Sequence, residues 1–133
     1  MIEDLVTQHY LSGAALNDDT LHRIYTNTVV YFGRRMALQE VSLRKAEYYR
    51  RWPNRSYALI DGTLVITWIS ANRAKVTFGY DYHVTSPRAV SEAGQGRALI
   101  EIDFSGPTAR IASEGGHVLA LRKTAATRRT PPS

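Results

Sequence analysis

The sequence predicts an α+β fold in which three N-terminal helices pack on a strongly bent antiparallel sheet. Apolar side chains recur at helical spacing in the first third of the chain, whereas apolar and polar side chains alternate through most of the remainder. Trp52-Pro53 marks the change, because a helix usually ends before a proline. This order of elements predicts that the helices cover one face of the sheet.

Two short helices and a strand are predicted before the long third helix. An amphipathic stripe indicates the first helix, and it consists of Ile2, Leu5, Val6, Tyr10 and Ala14. The second helix runs through Leu21, Ile24 and Tyr25, after three residues that cap helix N-termini, namely Asn17, Asp18 and Asp19. The β-branched and aromatic run from Thr28 to Phe32 then predicts a short strand that ends at Gly33.

The third helix is predicted from Met36 to Trp52. Its buried stripe consists of Leu38, Val41, Tyr48 and Trp52. Opposite charges four residues apart, Glu40/Arg44 and Glu47/Arg51, stabilise such a helix. We therefore interpret the many basic residues of this segment as a solvated helix face and not as a track for nucleic-acid phosphates.

Four longer strands follow the third helix. Asp61-Gly62 lies between strand-like runs at 56–60 and 63–70, and it is either a tight turn or a bulge within one long strand. The next strands are predicted at 74–85, 97–104 and 108–121, with a Pro/Gly/Ser loop over 86–96 and an interruption at Gly115-Gly116.

Alternation assigns the side chains of these strands to two faces. The inner face meets the helices and comprises Val76, Phe78, Tyr80, Tyr82, Val84, Ala98, Ile100, Ile102, Phe104, Ala109 and Ile111. The outer face carries Leu99 and Ala112 together with the strand carboxylates Asp81, Glu101, Asp103 and Glu114. Because a broad exposed sheet is usually covered, we expect a homodimer through the outer face.

Length and composition predict one domain over residues 1–121 and a basic tail over 122–133 that we expect to be disordered. The net charge is +5, but four basic residues lie in that tail, so the remainder is close to neutral and nucleic acid is not expected as a partner. The absence of cysteine excludes disulfides and thiolate chemistry. No apolar run approaches ~20 residues, so we expect a cytoplasmic protein with no membrane partner, no cofactor and no metal site.

Two stretches in this order of elements resemble the nuclear transport factor 2-like superfamily. Val29 to Gly33 opens the sheet and Tyr48 to Pro53 closes the long helix, as in bacterial members of that superfamily. The resemblance covers residues 1 to about 121 and implies the cone-shaped fold of ketosteroid isomerases, polyketide cyclases and dehydratases. It also implies a cavity inside the cone, for which the ligand-binding candidates are Tyr10, Tyr31, Tyr48, Trp52, Tyr80 and Tyr82.

The predicted faces favour a binding domain over an enzyme. Enzymes of this superfamily place a base or a polarising group inside the cavity, but here the strand carboxylates are predicted to point outward, so no catalytic residue is assigned. The first hypothesis is a non-catalytic domain, free-standing or part of a larger protein, that binds a small apolar ligand or a protein partner. The alternative is a small isomerase, cyclase or dehydratase acting on an apolar carbonyl substrate. An open cavity with a carboxylate or His at its base would favour the enzyme, whereas a cone filled by aromatic side chains would favour the binding domain.

Overall fold

The computed structural model describes residues 2–125. Helix α1 (Ile2–Asp4) continues into a π-helical segment (Leu5–Tyr10), and helices α2 (Asp18–Ile24) and α3 (Leu38–Arg51) follow. The strands are β1 (Tyr25–Tyr31), β2 (Arg34–Ala37), β3 (Asn54–Leu59), β4 (Val65–Ser70), β5 (Arg73–Thr85), β6 (Val90–Asp103) and β7 (Arg110–Ala125). The predicted α+β class is confirmed. No helix in this part of the chain is both long and apolar enough to cross a membrane.

All strands of the described residues join one sheet. Its order is β2-β1-β7-β6-β5-β3, and β4 also pairs with β5. Every neighbouring pair is antiparallel except β1 and β7, which run parallel, so the sheet is mixed and not wholly antiparallel as predicted. The parallel pair is formed because the last strand returns beside the first one.

The helices begin and end where the local chemistry requires. The Asn17 side chain accepts a hydrogen bond of 2.8 Å from the backbone N–H of Thr20, which caps α2 as predicted. The Trp52 N–H still donates to the Tyr48 carbonyl at 2.9 Å, and Pro53 follows at once. Helix α3 begins at Leu38 and not at Met36, because Met36 belongs to a strand.

That strand, β2, is absent from the prediction. It pairs with β1 through a two-residue turn at Phe32 and Gly33, whose φ angles are 50° and 84°. Such angles are characteristic of tight hairpin turns. Gly33 therefore turns the chain back along β1 and does not lead directly into the helix.

The segment around Asp61-Gly62 is a bulge in one long bent strand, the second of the two predicted alternatives. Strands β3 and β4 both run antiparallel to β5, β3 along its second half and β4 along its first half. At the bend, the Ile60 N–H donates to the Gly79 carbonyl at 3.0 Å, and the Gly79 N–H donates to Thr63 Oγ1 at 3.0 Å. These bonds satisfy the backbone groups that the bend would otherwise leave unpaired.

Two strands extend beyond their predicted ends. Strand β6 begins at Val90, so most of the predicted loop over 86–96 is paired with β5. Strand β7 reaches Ala125, so the first residues of the predicted tail over 122–133 pair with β6. Residues 126–133 lie outside the described residues, and the division into one domain and a tail stays a prediction.

The core lies between the inner face of the sheet and the helices. Fully buried side chains from every layer meet there, including Val6, Leu21, Tyr25, Val41, Phe78, Ile100 and Ile111. A second, smaller cluster joins Trp52 to Tyr82 and Val84 where α3 ends. Tyr57 and Tyr80 pack against both clusters and also line the cavity of the candidate site.

Candidate functional site

A β-bulge in β7 turns Glu114 toward the interior. Ile102 pairs with Ile111 and Glu101 pairs with Ser113, so Ala112 is an extra residue in this strand. One extra residue moves the side chains that follow it to the opposite face, here as far as the second register shift at Leu119. Glu114 is therefore only 5% exposed and its predicted outward orientation is wrong; Ala112 is also buried, contrary to its predicted place on the outer face.

Three side chains from three different elements converge on the Glu114 carboxylate. The Tyr25 hydroxyl donates to Oε1 at 2.6 Å, and the Tyr10 hydroxyl donates to Oε2 at 2.9 Å. The Lys45 ammonium donates to Oε2 at 3.4 Å. The carboxylate is thus held by the π-helical segment, the start of β1 and helix α3 together. The three donors give both carboxylate oxygens a hydrogen-bond partner, as a buried polar group requires.

Lys45 balances the charge of Glu114. Its side chain is 14% exposed, and the ammonium lies 5.3 Å from the ring centroid of Tyr25 and 5.6 Å from that of Tyr31. Burial lowers the pKa of Lys45 more than any single neighbour raises it, but Glu114, Tyr31 and Tyr49 together outweigh burial and raise this pKa above its ordinary value. The ammonium is therefore charged at neutral pH.

The two tyrosines bound to Glu114 stay protonated. Burial, reinforced by the charge of Glu114, raises the pKa of Tyr10 and the pKa of Tyr25 well above their ordinary value. Both hydroxyls are hydrogen-bond donors at neutral pH and hold the carboxylate in place. The sequence analysis placed Tyr25 in the second helix and Lys45 in a solvated helix face, and made neither a ligand-binding candidate. Tyr25 instead begins β1, and Lys45 is buried.

A cavity of about 680 Å³ opens above this cluster. The residues from Tyr10 to Leu16, strands β1 and β2, helix α3 and strands β3, β5 and β7 all contribute to its wall. The wall is mostly aromatic and apolar, with Tyr10, Leu16, Tyr31, Met36, Tyr48, Tyr49, Tyr57 and Tyr80. Glu114 is the only acidic residue among the described lining residues. The cone is therefore open, with a carboxylate at its base.

Four of the six ligand-binding candidates line this cavity, and two do not. Tyr10, Tyr31, Tyr48 and Tyr80 are part of the wall, and a ligand-binding role for them stays a prediction. Trp52 and Tyr82 pack against Val84 in the second cluster instead, outside the cavity. Trp52 caps the C-terminus of α3, and Tyr82 comes two residues after Tyr80 on β5.

The tyrosine hydroxyls of the wall differ in their hydrogen bonds. Tyr48 and Tyr57 share one bond of 3.1 Å between their hydroxyls, and burial raises the pKa of Tyr57. Tyr31 and Tyr80 have no hydrogen-bond partner for their hydroxyls within residues 2–125. Burial raises the pKa of Tyr31 and that of Tyr80, so both hydroxyls are protonated and free to donate to a bound molecule.

The ring of Tyr80 rests on Gly96 of the adjacent strand. A Cβ atom at position 96 would overlap the outer carbons and the hydroxyl of that ring. Glycine is therefore needed at this position for Tyr80 to lie flat along the cavity wall. The segment from Gly94 to Gly96, predicted as a loop, is thus part of strand β6, and Gly96 packs against the Tyr80 ring of the cavity wall.

Three arginines and one histidine also lie in the wall: Arg34, Arg44, Arg55 and His117. Arg55 donates to the carbonyls of Trp52 and Gly13, both at 2.7 Å, and its guanidinium lies 4.3 Å from the ring centroid of Tyr49. It thereby fixes the segment that precedes α2 against the end of α3. Within the described residues, no group of three or more His, Asp or Glu side chains is arranged to hold a metal ion.

Solved structures share this architecture at low sequence identity. A hexachlorocyclohexane dehydrochlorinase, LinA-type3 from Novosphingobium barchaimii LL02, has a TM-score of 0.76 at 13% identity, over 98% of this chain and 92% of its own. A protein from Novosphingobium aromaticivorans, provisionally assigned as a scytalone dehydratase, has a TM-score of 0.72 at 9% identity, over 98% and 93%. A nuclear transport factor 2-like protein from Salmonella enterica has a TM-score of 0.68 at 13% identity, over 93% and 92%.

These likenesses confirm the fold that the sequence resemblance implied. At such identities they establish the fold alone, since one fold serves many functions. No protein-family model matches the sequence, and no curated protein matches it.

Proposed function

We propose that this chain, which has the nuclear transport factor 2-like fold, binds one small and largely apolar molecule in the tyrosine-lined cavity. The observation that carries the proposal is the open cavity itself. Its volume of about 680 Å³ falls within the range of roughly 300–1,000 Å³ that small-molecule sites occupy. A mostly apolar wall with a few polar groups is the usual composition of such sites.

The free hydroxyls of Tyr31 and Tyr80 support the same proposal. Each can donate one hydrogen bond to a ligand without breaking a bond to the described protein. The Glu114 cluster at the base adds rigidity, because its four side chains come from separate elements. A rigid, preformed site loses little conformational freedom when a ligand binds.

Binding can be tested with N-phenyl-1-naphthylamine, a neutral dye that fluoresces in apolar surroundings. We expect saturable fluorescence with one dye per chain. Leu16→Trp should abolish it by filling the cavity, since Leu16 lies in the wall. Leu43→Trp is the matched control, because Leu43 is 66% exposed on α3 and lies outside this wall.

Two results would contradict the binding proposal. The first is no saturable signal with the folded wild-type protein. The second is equal binding by the wild type and Leu16→Trp, which would place the dye elsewhere, for example on the exposed apolar side chains of β4. Circular dichroism of each variant establishes that it is folded.

An enzyme of the isomerase, cyclase or dehydratase type is the second candidate, and Glu114 is the observation that favours it. A carboxylate at the base of an open cavity is the feature that the sequence analysis named as evidence for catalysis. Two similar structures are named as a dehydrochlorinase and a dehydratase, which supports this candidate only through the fold. Against it, both Glu114 oxygens already accept hydrogen bonds, whereas a general base must reach the proton of a substrate.

Catalysis on an apolar carbonyl compound can be tested with cyclohex-3-enone. An isomerase would convert it to the conjugated enone, which is followed by ultraviolet absorbance. Enzyme-dependent conversion that is lost in Glu114→Gln but retained in Glu101→Gln would establish this candidate, because Glu101 lies on the outer face of β6. Saturable dye binding without conversion would support the non-catalytic proposal.

Assembly as a homodimer through the outer sheet face is a further part of the proposal. Large apolar side chains remain exposed on this face: Val65 is 53% exposed and Leu99 is 38% exposed, and the two flank Thr77 of β5. Exposed apolar area of this kind often marks a protein interface. Light scattering at micromolar concentration should give the mass of a dimer, and the mass of a monomer would contradict this part. A protein partner on the same face is the competing explanation, and a cytoplasmic location stays a prediction from the sequence.

A further inference from the structure

We infer that the ligand of the cavity is an organic anion, with a carboxylate or similar group on an apolar ring system. This inference rests on the proposed binding function and specifies its ligand class. It follows from the charges of the wall and from their uneven distribution around the cavity.

The wall carries more positive charge than its surroundings neutralise. Arg34, Arg44 and Arg55 contribute guanidinium groups, and Glu114 is the only acid in the described wall. Lys45 already neutralises Glu114 at 3.4 Å. Glu114 therefore does not compensate the arginines, and the cavity attracts an anion.

Two of the arginines are free to contact a ligand. Arg34 has no ion pair and no side-chain hydrogen bond within residues 2–125. Arg44 pairs with Glu40 at 3.2 Å, but both side chains are nearly half exposed, at 47% and 46%. Such an exposed pair contributes little free energy, so a carboxylate from a ligand can replace Glu40. Arg55, by contrast, is held by backbone carbonyls.

Arg34 and Arg44 both lie close to Tyr31. Tyr31 on β1 is directly opposite Arg34 on β2, so their side chains are neighbours on the hairpin. The positive charges of Lys45 and Arg44 both act on the Tyr31 hydroxyl and oppose the rise in its pKa that burial causes. Tyr31, Arg34 and Arg44 thus form one group of donors, which we call the cationic end.

Another part of the cavity wall is aromatic. The Tyr57 and Tyr80 rings lie 6.1 Å apart between centroids, and Tyr48 is bonded to Tyr57. Burial raises the pKa of Tyr57 and that of Tyr80, so neither of these two rings carries a charge at neutral pH. A ligand with an anionic group at the cationic end and a ring system against the aromatic wall matches both parts of the cavity wall. Guanidinium groups bind carboxylates in a bidentate manner, which fixes the orientation of such a ligand.

The experiment compares two ligands that differ in charge and have nearly the same shape. Displacement of N-phenyl-1-naphthylamine is measured with 2-naphthoate and with 2-naphthamide, its neutral amide. We expect 2-naphthoate to displace the dye at a concentration at least roughly tenfold lower, a difference that corresponds to about 1.4 kcal/mol. The double variant Arg34→Gln/Arg44→Gln should remove this advantage, so that 2-naphthoate and 2-naphthamide displace the dye at similar concentrations.

Arg50→Gln is the matched control, because Arg50 is 72% exposed on the same helix and does not line the cavity. It should keep the full preference for 2-naphthoate. Equal displacement by both compounds, or an unchanged preference in the double variant, would overturn the anion inference while leaving the binding proposal intact. Absence of dye binding, together with no change in the protein's NMR spectrum on adding either compound, would reject the binding proposal and the inference with it.

Discussion

Breaking the buried pair of Lys45 and Glu114 should cost far more stability than breaking the exposed pair that Arg44, the preceding residue of α3, forms with Glu40. Lys45→Met removes the ammonium and keeps an apolar side chain of similar length. The charge of Glu114 then stays buried with only the tyrosine hydroxyls as partners. Breaking a buried ion pair in this way costs about 3–5 kcal/mol. Arg44→Met breaks a shorter ion pair, 3.2 Å against 3.4 Å, yet should cost at most about 1 kcal/mol because water already surrounds it.

Coulomb's law gives the same order of magnitude for the buried pair. Two unit charges 3.4 Å apart attract by about 5 kcal/mol at an effective dielectric constant of 20. The cost of removing both groups from water offsets part of this attraction. The net effect is therefore best measured as a coupling between the two residues and not as the loss in a single variant.

A double-mutant cycle measures that coupling. The free energy of unfolding is determined from urea titrations of the wild type, Lys45→Met, Glu114→Gln and the double variant. We expect the double variant to lose at least about 1 kcal/mol less than the sum of the single losses. Additive losses, or an equal cost for Arg44→Met and Lys45→Met, would refute the assignment of Glu114 to the interior with Lys45 as its partner.

Three further predictions test the core, the cavity wall and the titration of the buried tyrosines. Trp52→Ala should lower the free energy of unfolding in urea by roughly 3–5 kcal/mol, because the Trp52 side chain is only 7% exposed. Trp68→Ala should lower it by less than about 1.5 kcal/mol, because Trp68 is 55% exposed. The reverse order would contradict the orientation of α3. Gly96→Ala should displace the Tyr80 ring, cost about 1–3 kcal/mol and change dye affinity, while Gly106→Ala, whose Cβ would meet no atom within 4 Å, should change neither property. Burial and the charge of Glu114 raise the pKa of Tyr10 and of Tyr25 in the folded protein, whereas tyrosines of the unfolded chain ionise near about pH 10. The two tyrosines therefore contribute fully to the free energy of unfolding below about pH 10, and this contribution is lost as the pH rises above that value. The unfolding free energy should fall above about pH 10, and less steeply in Tyr25→Phe; equal slopes would show that Tyr25 ionises in the folded protein.

The sequence predicts the order of elements well because side-chain periodicity reflects burial directly. The inner face of β5 and the cap at Asn17 are local patterns, and each appears where it was expected. Of the predicted α3 stripe, Leu38, Val41 and Trp52 are buried, but Tyr48 is 41% exposed because it lies in the open cavity wall. Strand β2 was missed because it is a short strand joined directly to a helix, and Met36 fits either pattern. The loop over 86–96 was predicted from glycines that in fact allow close packing between strands, as the contact of Gly96 with Tyr80 illustrates.

The candidate site was less predictable because it depends on a single inserted residue. Alternation along β7 is regular up to Ile111, and no residue type marks Ala112 as the bulge. Before the bulge is known, Ser113 points inward and Glu114 outward; after it, their positions are exchanged. The acid at the base of the cavity, and Lys45 as its partner, follow from pairing between distant strands that a local pattern does not contain.

The parallel pairing of β1 with β7 has a consequence for synthesis of the protein. Tyr25 pairs with Ile111 and Tyr31 pairs with Glu114. Strand β1 therefore acquires β7 as its neighbour only after nearly all of the domain has been synthesised. Contacts between such distant parts of a chain slow folding and leave apolar surfaces open during translation. Until β7 leaves the ribosome, Lys45 lacks Glu114 as its partner, and the apolar side of α3 is only partly packed against the sheet. A ribosome that stops before residue 110 would therefore release an unfolded chain, prone to aggregation, and not a smaller version of the domain.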